Sequence, residues 1–182
     1  YDVIEKKAAH HELTKEELQF FVEGLCSGKV PDYQAAALIM AMFLNGMSDQ
    51  ETADLTAVMA DSGEHIDLSG IDGVKVDKHS TGGIGDKTTL IIGPIIAACG
   101  GKMAKMSGRG LGCTGGTIDK LESIPGFQTS LTQEQFIHNV NAIGMAVTGQ
   151  TANVAPADKK IYALRDVTAT VASIPLIASS IM

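Results

Sequence analysis

Two glycine-rich loops, each lying between a strand-like run and a helix-like segment, constrain the fold of this chain more than any other feature. The first loop, 81–85, follows Val74–Asp77, and the second, 108–116, follows Lys102–Met106. A helix-like segment comes after each loop, and Met145–Thr148 supplies a third strand-like run. This alternation of strands and helices is typical of a parallel sheet joined by helical crossovers.

The residues on both sides of this α/β region are predicted to be helical. Before it, capping-box sequences at Thr14–Glu17 and Ser48–Glu51 mark two helix starts, and Pro31 marks another. After it, Pro156 begins a further helical segment. The predicted core contacts of that segment are Tyr162, Leu164, Val167 and Val171.

The predicted fold class is a two-domain α/β protein, in which a helical domain carries an inserted, incomplete parallel α/β sheet region. Residues 1–66 form the first part of the helical domain, 67–153 form the α/β phosphate-binding domain, and 154–182 return to the helical domain. The sheet is interpreted as incomplete because three strands with open edges make a poor independent domain.

Charge and cysteine content exclude several classes of protein. The 182 residues carry a formal net charge of −7, which argues against a nucleic-acid partner. Cys26, Cys99 and Cys113 form no CxxC pair, so we expect neither a disulfide framework nor a zinc site. The same cysteine content predicts a cytoplasmic location. The apolar stretches Leu90–Cys99 and Ala169–Met182 are too short or too interrupted for a bilayer span of about 20 residues, so no membrane partner is expected.

Polar residues around the two glycine loops predict a phosphate site. Lys78, His79 and Ser80 lead into the first loop, and Lys105 and Ser107 lead into the second. Glycines let backbone N–H groups approach an anion closely, and lysines and hydroxyls add further donors. Because both loops follow strands, we expect their donors to converge at one edge of the sheet. For either loop taken by itself, the alternative that the glycines only form tight turns stays open.

Two named nucleotide-binding motifs fit the loops less well. A Walker A loop needs a glycine immediately before its lysine, and Asp86 stands there before Lys87. Gly110, Gly112 and Gly115 match the dinucleotide fingerprint, but that motif also needs an acidic residue at the end of a strand about 20 residues further on. The acidic residues of that region, Glu122 and Glu134, lie in predicted helices.

Three blocks of sequence resemble the pyrimidine nucleoside phosphorylase and thymidine phosphorylase family. The first block is 78–86, the second is the stretch SGRGLGCTGGTIDKLE at 107–122, and the third comprises 156–168 and 173–182. The resemblance covers essentially the whole chain and corresponds to the N-terminal portion of the family's longer chains. It implies a nucleoside phosphorylase/phosphoribosyltransferase-like fold and a homodimer formed through the helical domain.

The resemblance implies reversible phosphorolysis of pyrimidine nucleosides (uridine, thymidine, deoxyuridine) to free base and (deoxy)ribose 1-phosphate, in nucleoside salvage. Inorganic phosphate is then the co-substrate, and no organic cofactor is needed. The implied phosphate ligands are Lys78, Ser80, Thr89, Lys105, Ser107 and Thr117. The implied contacts to the pyrimidine are His79, Arg165 and Ser180.

Two of these base contacts have an implied catalytic role. His79 and Arg165 can stabilise the negative charge that develops on the departing base. The backbone carbonyls of Gly85 and Lys87 are implied ligands of a monovalent cation, potassium. The chain departs from the family's common pattern at Lys87, where many relatives carry a small hydroxyl residue, and at Cys113, where many carry histidine.

Alternatives remain for the function and for single residues. One alternative function is phosphoribosyl transfer of the anthranilate phosphoribosyltransferase type, and another is a noncatalytic dimerisation or phosphate-binding module. Because the family's chains are far longer, these 182 residues alone are expected to be inactive. Local sequence taken alone favours a surface ion pair between Arg165 and Asp158 or Asp166. Asp119, Lys120 and Glu122 are interpreted as helix-start charges.

Overall fold

The computed structural model describes residues 1–79, 86–110, 115–149 and 153–181. The chain forms two compact units, one made of Tyr1–His65 with Ala152–Met182 and the other of Ile66–Thr151. The helices among the described residues are α1 (Asp2–Ala8), α2 (Lys15–Ser27), α3 (Asp32–Asn45), α4 (Asp49–Ala60), α5 (Thr89–Ala98), α6 (Thr117–Glu122), α7 (Gln133–Ile143), α8 (Pro156–Val167) and α9 (Ile174–Ile181). Over the same residues, none of these helices combines the length and the apolar character needed to cross a membrane.

Helices α2 and α4 begin at the two predicted capping boxes. The Thr14 hydroxyl accepts a hydrogen bond from the Glu17 backbone N–H, and the Glu17 carboxylate accepts one from the Thr14 N–H. Ser48 and Glu51 make the same reciprocal pair. Helix α2 ends at Gly28, whose φ of 76° is left-handed and therefore suits glycine. Local sequence signals thus determine where these helices begin and end.

Helix α1 has no such signal, and its position depends on a distant partner. The Lys7 ammonium donates to both carboxylate oxygens of Glu51 at 2.7 and 2.9 Å. Glu51 also accepts the Leu13 backbone N–H at 2.9 Å, and both charged side chains are buried. Because Lys7 and Glu51 lie 44 residues apart, no local pattern indicates this contact.

The core of the helical unit is built from both of its chain segments. Buried side chains of α2, α3 and α4, among them Leu18, Leu38 and Leu55, pack in one cluster with Ile161 of α8 and Leu176 of α9. Apolar side chains repeating every three or four residues form the inward stripe of each helix. The return of the chain to the helical unit therefore contributes side chains to its core.

One predicted core contact of α8 is wrong. Val167 is 78% exposed, whereas Leu164 packs against the core as predicted. Tyr162 and Val171 are half-buried. The inward face of α8 carries Ile161, Leu164 and Arg165, and Val167 lies on another side of the helix.

The second unit contains a parallel sheet, as predicted. Among the described residues the strands are β1 (Lys75–Val76), β2 (Lys102–Ser107) and β3 (Met145–Gly149), in the order β1-β2-β3. Lys75 pairs with Lys102, and Met103 pairs with Met145. The predicted fold class, a helical domain with a small parallel sheet region, is confirmed. Parallel strands bring their carboxyl ends to one edge, so the residues after β1 and β2 lie at the same edge.

Candidate functional site

The candidate site lies in the second unit, at the edge where β1 and β2 end. The chain leaves β1 through Asp77 and Lys78, and β2 carries Lys105 two residues before its end at Ser107. Thr89 is the first residue of α5, and Thr117 is the first residue of α6. Strand ends and helix starts therefore contribute side chains to one place.

The carboxylate of Asp86 lies at the centre of these side chains. Lys78 Nζ donates to Asp86 Oδ1 at 2.5 Å, and the Thr88 hydroxyl donates to the same oxygen at 2.9 Å. The Thr89 backbone N–H also donates to Oδ1, at 3.1 Å. The Thr89 hydroxyl donates to Oδ2, which the Thr117 hydroxyl also approaches at 3.4 Å. Donors from three segments thus surround one anionic group.

Most members of this cluster are buried. Asp86, Thr89, Lys105 and Thr117 have almost no exposed surface, although all four are polar or charged. Buried polar groups persist when they have hydrogen-bond partners, and here the partners are an anion and its donors. The cluster is therefore a buried, hydrogen-bonded group of polar side chains rather than a solvated surface.

The Asp86 carboxyl is strongly acidic in this setting. Burial by itself raises the pKa of Asp86, but hydrogen bonds from Lys78, Thr89 and Thr88 outweigh it. The net result is a pKa far below the ordinary value of an aspartic acid. Asp86 is therefore a carboxylate throughout the physiological pH range, and the donors are matched to an anion.

Lys105 joins the cluster through the residues that follow β1. Its ammonium donates to the Lys78 carbonyl oxygen at 2.5 Å and to Asp77 Oδ1 at 3.1 Å. Lys105 is buried because it occupies the same face of β2 as Met103, two residues before it. Ser107, two residues after Lys105, is half-buried at the end of the strand.

The second glycine loop is fastened to α6 by a carboxylate. Asp119 Oδ2 accepts the backbone N–H groups of Gly110 at 2.7 Å and of Gly116 at 2.9 Å. Arg109 donates to Asp119 Oδ1 at 2.9 Å and to the two carboxylate oxygens of Glu122 at 2.8 and 3.0 Å. These bonds fix the loop on either side of its residues 111–114, which lie outside the described residues.

This fastening gives Asp119 and Glu122 more than the helix-start role that the sequence indicates. The hydrogen bonds from Gly110 and Gly116 hold the pKa of Asp119 below its ordinary value, and Arg109 does the same for Glu122. Lys120 donates to the carbonyl oxygens of Gly115 and Gly116. The bond from the Gly116 N–H to Asp119 has capping-box spacing, whereas the bonds from Gly110 and Arg109 span 9 to 13 residues and depend on how the loop folds back.

The remaining implied site residues of this unit fall into two groups. His79 and Lys87 are exposed, each next to a residue of the Asp86 cluster. Ser80 and Gly85 lie outside the described residues. The proposed cation ligands therefore stay a prediction. In the part of the chain that the structure describes, no group of three or more His, Cys, Asp or Glu side chains is arranged to hold a metal ion.

Arg165 and Ser180 belong to the helical unit, whereas the Asp86 cluster belongs to the other unit. Arg165 is 2% exposed and donates to the carbonyl oxygens of Leu176 at 3.0 Å and Val171 at 2.8 Å. Burial lowers the pKa of Arg165, while the nearby Asp158 acts in the opposite direction. Because the guanidinium is buried, the interpretation as a surface ion pair is wrong. Ser180 is half-buried on α9.

Models of two protein-family domains match this chain. The model described as "Glycosyl transferase family, helical bundle domain" matches residues 1–63. The model described as "Glycosyl transferase family, a/b domain" matches residues 72–182. The second match spans most of the sheet-containing unit and also the segment Ala152–Met182 that returns to the helical unit.

Among curated proteins, the chain is similar to pyrimidine-nucleoside phosphorylases. It is 64% identical to those of Geobacillus stearothermophilus and Bacillus subtilis, and 62% identical to one from Staphylococcus epidermidis. Each comparison covers the whole of this chain but only 42% of the relative's length. The resemblance seen in the three sequence blocks is thereby confirmed.

Among solved structures, the chain is similar to the anthranilate phosphoribosyltransferase of Thermus thermophilus. The TM-score is 0.69 over 99% of this chain and 54% of that protein, at 20% sequence identity. At this identity the likeness establishes the shared fold.

Proposed function

We propose a function for this chain from the premise that it belongs to the glycosyl transferase family, whose two domain models match residues 1–63 and 72–182. The proposed reaction is the reversible phosphorolysis of pyrimidine nucleosides to free base and (deoxy)ribose 1-phosphate, as part of nucleoside salvage. Identity of 60–64% to pyrimidine-nucleoside phosphorylases supports this choice. Since the chain spans 42% of their length, the activity is proposed for a full-length protein that carries these residues.

The observation that carries the proposal is the anion-centred cluster around Asp86. Lys78, Thr89 and Thr117, which the resemblance assigns to phosphate, converge on a single carboxylate. An arrangement of ammonium and hydroxyl donors around one anion suits the oxygens of inorganic phosphate as well. We propose that Lys105, Ser107 and Ser80 complete the phosphate site.

The reaction needs no side-chain nucleophile, because phosphate is the nucleophile. A phosphate oxygen forms a bond to the anomeric carbon of the pentose while the bond from that carbon to the pyrimidine nitrogen breaks. The electron pair of the broken bond leaves with the base, which then takes up a proton. A site that holds phosphate in a fixed orientation lowers the barrier by positioning alone.

We propose that His79, Arg165 and Ser180 contact the departing base. Arginine is a permanent cation and stabilises the negative charge that builds up on the pyrimidine, and a ring N–H of His79 adds a hydrogen bond. We further propose that the full-length protein is a cytoplasmic homodimer formed through the helical unit. A potassium ion held by the carbonyls of Gly85 and Lys87 is part of the same proposal.

A second candidate function is phosphoribosyl transfer, favoured by the fold shared with an anthranilate phosphoribosyltransferase. That likeness concerns the fold alone, whereas the likeness to the phosphorylases extends to 64% of aligned residues. Phosphoribosyl transfer is therefore the less supported of the two. A noncatalytic phosphate-binding module is the third possibility for the 182 residues by themselves.

One assay separates these functions. The full-length protein is incubated with inorganic phosphate and uridine, thymidine or deoxyuridine, and the free base is measured by chromatography. We expect base release that requires phosphate. Consumption of a pyrophosphorylated ribose donor, without base release from any nucleoside, would instead favour phosphoribosyl transfer. The 182-residue chain serves as the comparison, and we expect it to bind phosphate without turnover.

A further inference from the structure

The two carboxylate oxygens of Asp86 have different sets of donors, since Oδ1 accepts from an ammonium, a hydroxyl and a backbone N–H, whereas Oδ2 accepts from hydroxyls alone. Oδ1 accepts hydrogen bonds from Lys78 Nζ, the Thr88 hydroxyl and the Thr89 backbone N–H. Oδ2 accepts from the hydroxyls of Thr89 and Thr117. The two oxygens therefore belong to different parts of the site.

Two of the three donors to Oδ1 form a local arrangement at the start of α5. Thr88 and Thr89 lie two and three residues after Asp86, and their donors reach Oδ1 without help from another element. Short-range bonds of this kind between an aspartate and the residues that follow it are a property of the turn itself. They are independent of any ligand that the site binds.

The Oδ2 side consists of side chains that the proposed function assigns to phosphate. Each threonine hydroxyl carries one hydrogen, so it donates either to Asp86 or to a phosphate oxygen but not to both at once. Lys78 is different, because its ammonium has three hydrogens and can serve both anions. The competition is thus confined to Oδ2 and its two hydroxyl donors.

We propose that Asp86 is a positioning residue of the phosphate site, whose Oδ2 occupies the place of a phosphate oxygen and competes with phosphate for the hydroxyl hydrogens of Thr89 and Thr117. The inference rests on the proposed phosphate site and adds an internal competitor to it. When phosphate binds, the two hydroxyls turn to it, and Asp86 keeps the Thr88 and Thr89 donors on Oδ1. The carboxylate is then still paired, and its negative charge opposes the bound phosphate.

The proposal predicts that removing this charge without changing the shape strengthens phosphate binding. In Asp86→Asn, the amide oxygen can keep the Oδ1 donors, while the amide NH₂ replaces Oδ2 and cannot accept the two hydroxyl hydrogens. These hydrogens are then available to phosphate, and the repulsion between two neighbouring anions is gone. If Asp86 had only a structural role, the substitution would weaken phosphate binding, because the loss of the carboxylate would disorder the donors.

The test is calorimetric titration of inorganic phosphate into the full-length protein and into its Asp86→Asn variant. We expect the dissociation constant of the variant to be lower by about tenfold or more. Asp72→Asn is the matched control, because Asp72 is exposed in the same unit and the substitution changes the net charge equally. We expect the dissociation constant for phosphate in this control to stay within about twofold of the value for the unsubstituted protein.

Each outcome is decisive. Unchanged or weaker phosphate binding by a folded Asp86→Asn variant, beside normal binding by the unsubstituted protein, overturns the inference and leaves the phosphate site standing. Absence of phosphate binding by the unsubstituted protein overturns the phosphate site and the inference together. If the variant unfolds, its refolding is compared in phosphate and in chloride at equal ionic strength. We expect recovery in phosphate alone, and no recovery in either salt overturns the inference.

Discussion

Several hydrogen bonds hold the buried charge of Glu51. The Glu51 carboxylate accepts bonds from Lys7, from the Leu13 N–H and from the Ser48 N–H. Burial by itself raises the pKa of Glu51, but these bonds outweigh it and hold the pKa below the ordinary value. One side chain thereby joins α1, the turn before α2 and the start of α4.

The Glu51→Gln substitution should destabilise the helical unit. It leaves the Lys7 ammonium buried without its anion, a loss of about 3–5 kcal/mol in comparable buried pairs. Because the pKa of Glu51 is lowered on folding, the carboxylate stabilises the fold above the ordinary carboxyl pKa, and this contribution is lost as the pH falls through the lowered value.

Urea unfolding measures this effect. The difference in free energy of unfolding between the unsubstituted chain and Glu51→Gln should be largest at about pH 7 and should shrink towards about pH 3. Glu12→Gln, at an exposed position of the same unit, is the control and should change stability by less than about 0.5 kcal/mol. A difference that stays constant with pH would contradict the assigned role.

The lysine of the anion cluster gives a second prediction at this scale. In the full-length protein, Lys78→Ala removes a charge-assisted hydrogen bond worth about 1.5–3 kcal/mol, so the KM for phosphate should rise about ten- to hundredfold. The KM for the nucleoside should change much less. Lys75→Ala, at an exposed position of β1, should leave both constants unchanged. Steady-state kinetics with each substrate varied in turn distinguishes these outcomes, and equal effects on both constants would count against the role of Lys78.

The residue types and their order along the chain predict many of the side chains in this site. The central position of Asp86 is seen only in the structure. Lys78, Thr89 and Thr117 are indicated by the resemblance, and the structure brings them to one carboxylate. Asp86 is visible in the sequence mainly as the residue that excludes a Walker A loop. Its partners lie up to 31 residues away, and such contacts depend on tertiary folding that no spacing rule encodes. Local sequence does not predict the burial of Arg165 for the same reason.

At the scale of elements, the start of α6 depends on how closely the second glycine loop folds back on itself. A Cβ added at Gly116 would lie 2.5 Å from the Arg109 carbonyl carbon and 2.5 Å from the Gly110 nitrogen. At Gly115 the nearest atom would be the Asp119 Cβ, at an ordinary 3.7 Å. The loop therefore needs glycine at 116 and tolerates alanine at 115.

Gly116→Ala should push the loop away from α6 and displace Thr117, the next residue. We expect the free energy of unfolding to fall by about 1–3 kcal/mol and phosphate binding to weaken, because the new methyl group meets backbone atoms that cannot rotate away. Gly115→Ala is the matched control and should change stability by less than about 0.5 kcal/mol. Chemical denaturation and phosphate titration test both variants, and equal losses in the two would refute the close-approach argument.

At the scale of the whole molecule, the helical unit is assembled from two distant parts of the chain. Tyr1–His65 and Ala152–Met182 share one unit, and Ile66–Thr151 form the other. Leu176 of α9 is buried in the same cluster as Leu55 of α4, whereas Ile174 is 78% exposed. Stability of the early helices thus depends on residues that occur more than a hundred positions later.

Leu176→Ala should destabilise helices that lie far from it in sequence. A buried leucine replaced by alanine costs about 2–5 kcal/mol, and the loss should accelerate amide hydrogen exchange in α4 as well as in α9. Ile174→Ala, two residues away and exposed, should leave exchange in α4 unchanged. If Leu176→Ala affected α9 alone, the shared core would not be the source of stability.

The two-segment construction of the helical unit also sets an order of events during synthesis. The ribosome must produce all of Ile66–Thr151 before the segment that carries Ile161 and Leu176 exists. At about 5–20 residues per second, the early helices wait several seconds without the core side chains that α8 and α9 supply. During that interval the apolar side chains that α8 and α9 later cover offer a binding surface to chaperones.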